Sequence, residues 1–154
     1  MTTPLDLTDY YGLCQSGVMT LLRSLSYFSS KPMVQVSTNL NNVNKGFAHW
    51  AIFKPSTFTS SRLDPHNKRY VWRMLFDLYV RYKTADEVIP KFQEVRSAIV
   101  NLLDTRSSVS GIRGVEEISI AAQSEFLQDV PGDNPNFVIQ TFAVSVAQRV
   151  TRKF

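Results

Sequence analysis

From Tyr70 to Tyr82 the chain alternates without a break. Tyr70, Trp72, Met74, Phe76, Leu78, Val80 and Tyr82 are large and apolar, and Arg73, Asp77 and Arg81 fall between them with Val71, Leu75 and Tyr79. Side chains of an extended backbone point to opposite faces in turn, so this run predicts a long strand with one core face and one mixed face. Phe137 to Val150 repeats the period, with Val138, Phe142, Val144, Val146 and Val150 on one side. Two such ladders require a sheet, and the apolar face of that sheet requires cover.

Two amphipathic helices can supply it. Leu7, Tyr11, Cys14, Val18, Leu21 or Leu22, Leu25 and Phe28 recur at three- and four-residue steps, which gathers them on one helical face. Thr3, Pro4 and Asp6 predict its start, through a capping hydroxyl, a first-turn proline and an acid near the positive end of the helix dipole. Ser29, Ser30 and Pro32 predict its end. The second helix is expected over Ala85–Asp104, with Thr84 and Glu87 at capping-box spacing and Val88, Phe92, Val95, Ile99 and Leu103 as the buried stripe. Pro90 lies past its first turn, which requires a late start or a bend.

Further strands are expected at Gly46 to Phe53, apolar on both sides, and at Val115 to Ala122, where Ile118, Ile120 and Ala122 align. Met33 to Val36 reads as a short extended piece. Pro55 to Lys68 and Gln123 to Asn136, rich in Ser, Thr, Pro, Asn and Gly, read as long connections. The chain is therefore expected to be a single α+β domain over residues 1–154, in the order α-β-β-α-β-β. Its one mostly antiparallel sheet has four to five strands, with two helices packed on a face. At 154 residues it is long enough to build a core without disulfides or a structural metal.

The chemistry-bearing residues are sparse. The chain has two histidines and one cysteine, far apart in sequence, and no cluster at metal-ligand spacing. His49 sits in an apolar strand pattern and reads as a core or interfacial histidine, while Asp64-Pro65-His66-Asn67 reads as a turn. Cys14 lies on the first helical stripe as a small buried hydrophobe. Gly111-Ile112-Arg113-Gly114 lacks the spacing of a phosphate-binding loop. Glu116 and Glu117 are adjacent, so on a regular strand they point to opposite faces and make a poor acid/base pair. These readings point away from an enzyme and imply no cofactor.

Net charge is +4, but the basic residues are spread out; Lys68, Arg69 and Arg73, and Arg149, Arg152 and Lys153, are the densest groups. They read as solvated surface, with a nucleic-acid-binding domain as the alternative. The RNA-binding signature of interleaved glycine and aromatic residues is missing around Tyr79-Val80-Arg81-Tyr82. No run approaches the roughly 20 apolar residues of a membrane helix, and the start of the chain lacks the pattern of a secretion signal. The expectation is a chain made in a cytoplasm, with no membrane partner.

Within this plan, the stretch Arg69 to Asn101, RYVWRMLFDLYVRYKTADEVIPKFQEVRSAIVN, resembles the central strand and following helix of bacteriophage tail terminator proteins. The strand at Val115 to Ala122, the loop after it and the closing FVIQTFAVSV strand are similar in layout, and Lys31 to Lys68 departs from it. The resemblance implies a virion protein of the tail or neck, built as a homo-oligomeric, hexameric ring on the completed tail tube. Such a ring ends tube polymerisation and joins the tail to the head connector or head-closure protein. Its partners are then itself, the tube protein and the connector, and DNA only in transit through the lumen. Another neck, head-closure or minor tail component is the neighbouring alternative. For contacts, Phe58, Arg62 and His66 are the candidates on the long Pro55–Lys68 segment, and Arg73, Asp77 and Arg81 on the mixed face of the central strand.

Overall fold

The computed structural model describes residues 6–29, 34–36, 49–81, 85–104, 112–124, 127–128 and 137–151. Helix α1 spans Tyr10–Arg23 and is followed by a single turn, α2, at Ser26–Ser29. Strands β1 (Val34–Val36), β2 (His49–Arg62) and β3 (Asn67–Arg81) precede helix α3 (Ala85–Asp104), and β4 (Val115–Ala122), β5 (Leu127–Gln128) and β6 (Phe137–Thr151) complete the order.

The core of the sheet is four antiparallel strands in the order β2-β3-β6-β4. β1 adds in parallel outside β2, and β5 pairs with the first part of β6. The expected α+β class and the α-β-β-α-β-β order are both present, with these two short strands as additions. β3 and β6 pair over their whole length, from Asn67↔Thr151 to Arg81↔Phe137. Fifteen extended residues reach roughly 50 Å, so this pair is the spine of the molecule.

One face of that spine carries the core. Met74, Phe76, Leu78 and Val80 of β3 and Val138, Val144 and Val146 of β6 are fully buried beneath Cys14, Val18 and Leu22 of α1 and Phe92, Val95 and Leu103 of α3. Phe76 and Phe142 stack across the strands with centroids 5.4 Å apart. Burying each such side chain contributes about 1.5–3 kcal/mol, which is why the two alternating ladders dominate the fold. Both helices lie on this face; among the described residues no helix covers the other.

Three expectations are corrected. α1 starts at Tyr10 rather than near Thr3, because the Asp9 carboxylate accepts the Gly12 backbone N–H at 2.9 Å and caps it. Asp6 instead accepts from Thr8 N and the Tyr10 hydroxyl. Leu7 is accordingly exposed instead of joining the stripe, and Thr3 and Pro4 lie outside the described residues. At the other end α1 stops at Arg23, where the Ser24 hydroxyl and N–H both turn back to Leu21 O. α3 begins at Ala85 as expected and runs through Pro90, which sits on its exposed side; Thr84 lies outside the described residues.

The third correction matters most for function. Pro55 to Lys68 is not a loop: β2 continues to Arg62, a four-residue turn follows, and β3 begins at Asn67. The register shifts between Pro55 and Phe58, a bulge that accommodates a proline lacking a ladder N–H. Beyond it Phe58 and Thr59, good strand formers, resume regular pairing with Phe58↔Trp72 and Thr59↔Val71. The turn expected at Asp64–Asn67 is present. The Asp64 carboxylate accepts His66 N at 2.8 Å, Asn67 N at 2.9 Å and the Asn67 side-chain amide at 2.7 Å.

Candidate assembly surface

The far half of the β2–β3 hairpin holds the first group of candidate contacts. Phe58 is 57% exposed, yet its ring rests on Trp72 (5.2 Å) and Tyr70 (6.5 Å). Tyr70 and Trp72 stack almost parallel at 4.6 Å, and Tyr11 of α1 meets Trp72 edge-on at 5.9 Å. The Tyr11 hydroxyl donates to Arg73 O at 2.8 Å and accepts Ser56 N at 3.0 Å, which ties the helix to the bulge. Phe58 is thus a rigid aromatic held open to solvent by a packed base. Arg62 is exposed and donates to Asp64 O at 3.4 Å, and His66 is exposed on the turn.

Beneath this cluster lies a buried polar hub. Gln148 of β6 is 2% exposed; its carbonyl oxygen accepts Trp72 Nε1 at 2.9 Å and the Cys14 thiol at 3.5 Å, and its amide donates to Arg113 O at 2.9 Å. One side chain therefore joins α1, β3, β6 and the turn before β4. Burial pushes the Cys14 thiol up to about 11, which keeps it protonated and unreactive at neutral pH. The hub had no signal in sequence, where Gln148 is one more polar residue in an alternating run.

The second group lies on the face of the sheet that is bare of described helices, but not as a continuous charged row. Arg73 donates to the Gln123 side chain. Asp77 is 5% exposed and accepts the Thr141 hydroxyl at 2.6 Å across the β3–β6 pair, so it fixes the sheet instead of meeting a partner. Arg81 ends β3 opposite Phe137, and its side chain lies outside the description. The structure brings Phe58, Arg62 and His66 to one hairpin and leaves Arg73 and Asp77 separately engaged.

A charged cluster that sequence reasoning missed stands on the same bare face. Glu116 accepts Arg69 Nε and Arg149 Nε, each at 3.1 Å. The expectation that Glu116 and Glu117 point to opposite faces fails, because a bulge between Val115 and Glu117 sets two residues of β4 against one of β6. Glu116 is thereby turned to the two arginines while Glu117, level with Ala147, keeps to the same face. Gly114 makes the approach to β4 possible: its φ is +79°, and its carbonyl accepts Arg149 N at 2.8 Å. An added Cβ would stand 2.1 Å from Arg149 O.

Among the described residues the two histidines are not brought together. His49 opens β2 and His66 lies beyond its end, roughly 40 Å apart along an extended strand. No group of His, Cys, Asp or Glu among the described residues is arranged to hold a metal ion. No helix among them is long and apolar enough to cross a membrane.

No known protein family has a model that matches the chain, and no curated protein matches its sequence.

Proposed function

We propose that this chain is a structural assembly module that closes into a homo-oligomeric ring on a phage-type tail tube, ends tube growth and presents a surface to a head connector. One observation carries the reading: a roughly 50 Å antiparallel spine has both helices on one face, no described helix on the other, and a hairpin end whose Thr57–Arg62 side chains are exposed. A domain of this size gains little by extending strands past its own core unless a neighbour covers them. The resemblance of Arg69–Asn101 to tail terminators supplies the biological setting. Nucleic-acid binding is the weaker reading, because Arg69 and Arg149, two of the basic residues on that face, share the Glu116 carboxylate, which offsets one of their two charges.

Light scattering on the purified chain and negative-stain imaging, alone and with purified tail tubes, test the proposal. Rings of uniform mass that bind tube ends are expected. A chain that stays monomeric both alone and with tubes refutes it.

A further inference from the structure

The two outer strands of the sheet are matched in height, direction and charge. Following the register across the strands, Glu117 is level with Ala147, Val71 and Thr59, and Ile118 with Val146, Trp72 and Phe58. At the other end of β4, Ala122 is level with Phe142, Phe76 and Phe53. β1 covers β2 only at Ala51–Phe53, and among the described residues no strand pairs with β2 beyond that point or with β4 on its outer side. The Ser56 N–H is taken by Tyr11, so the open part of β2 begins after it. Two unpaired edges therefore face outward from opposite sides of the sheet at the same level.

Their directions also fit. Each neighbouring pair along β2-β3-β6-β4 is antiparallel, so β2 and β4 run opposite to each other. A copy rotated about an axis along the strands keeps every strand direction, so its β2 meets the first copy's β4 antiparallel. Such a contact is head-to-tail and repeats until the ring closes. Along its open part, Thr57–Arg62, β2 carries Arg62 and no acid, whereas β4 carries no base and keeps Glu117 exposed beside Glu116, which is turned to Arg69 and Arg149. Phe58, exposed above its aromatic base, lies in the row that the neighbour's Ile118 would extend.

We infer that the ring is sealed by antiparallel pairing between the outer edge of β4 in one copy and the Thr57–Arg62 edge of β2 in the next. The inference rests on the ring reading above and names its seam. It makes the sheet continuous from copy to copy, with the helices on one side and the bare face on the other. Pairing satisfies backbone groups that otherwise rely on water, and it covers Phe58. A two-fold β4–β4 contact is the rival arrangement, and it leaves both β2 edges open.

Thiol cross-linking separates these outcomes. The double variant Thr59→Cys/Glu117→Cys changes two exposed side chains, and Cys14, fully buried, stays silent. A closed sheet staggers its strands, so a short bis-maleimide is used, which tolerates a small slip in register. After the mass of the variant is checked by light scattering, the double variant is expected to give a ladder of covalent multiples ending at the ring mass. Each single variant is expected to give no more than wild type. If the substitutions themselves reduce assembly, Ser61→Cys/Glu117→Cys replaces the pair. A ring-sized protein without a ladder overturns the seam and leaves the ring reading standing. Cross-linked dimers from Glu117→Cys alone overturn it in favour of the two-fold contact. A monomeric wild-type chain removes the ring and the seam together.

Discussion

Replacing Gln148 by leucine tests whether the polar hub holds the aromatic base beneath Phe58. The substitution keeps approximate size but removes one acceptor and one donor. Trp72 is 7% exposed, so its Nε1–H, now 2.9 Å from the Gln148 oxygen, loses its partner in a place with little access to water. An orphaned buried donor costs about 1–3 kcal/mol. Arg113 sits on an exposed turn, where its carbonyl can turn to water, so that bond adds less, and the weak Cys14 contact adds least. Burying leucine instead of an amide offsets the lesser losses, and about 1–3 kcal/mol of destabilisation remains. For a chain of this size that lowers the thermal midpoint by roughly 2–12 °C. Urea unfolding followed by circular dichroism gives the free energy, and a cycle with Trp72→Phe isolates the bond. With no indole N–H to strand, Gln148→Leu should cost at least about 1 kcal/mol less in the Trp72→Phe background. An equal cost in both backgrounds, or a loss below about 0.5 kcal/mol in wild type, refutes the reasoning.

Gly114→Ala combines a left-handed backbone with a Cβ driven against Arg149 O, and is expected to cost about 2–4 kcal/mol and to weaken β4–β6 pairing, read by urea unfolding and amide exchange. The Asp64 carboxyl is held below its usual value, first by the Asn67 side-chain amide and then by the His66 backbone N–H. Its contribution to the hairpin turn is therefore present above the unfolded value, near 3.8, and lost as pH falls through the lower folded value. The His66 and Asn67 amide resonances should move together over that acidic window, and Asp64→Ala should abolish the transition. Charge reversal at Arg73 and Arg81 to glutamate is expected to lower the yield of rings while the circular dichroism spectrum stays that of wild type; undiminished assembly removes the bare-face arginines from the interface.

Sequence was informative where side chains meet the core. The alternation through Tyr70–Val80 and Val138–Val150, and the stripe Phe92-Val95-Ile99-Leu103, appear in the structure as buried faces, because removal of apolar surface from water is what imposes those periods. It failed where strands leave the core. Thr57–Arg62 lies beyond the cover of the helices, so no apolar alternation is needed there, and a strand of Ser and Thr has the composition of a loop. Phe58 stood out in sequence, but what makes it a contact candidate is the Tyr70–Trp72 platform beneath it.

By itself, then, the sequence determined the class of fold and the strands and helices that line its core. Those are local or periodic properties, carried by residues a few positions apart. Only the tertiary structure decided that Gln148 bridges Trp72 and Cys14, that Glu116 is turned by a bulge onto Arg69 and Arg149, and that the edges of β2 and β4 are level and opposed. Each of these joins positions 33 to 134 residues apart along the chain, as Arg149 is from Glu116 and Gln148 from Cys14, and such distances close only when the register of every intervening strand is set. Strand register is a collective outcome of packing one whole face, and no single segment carries it.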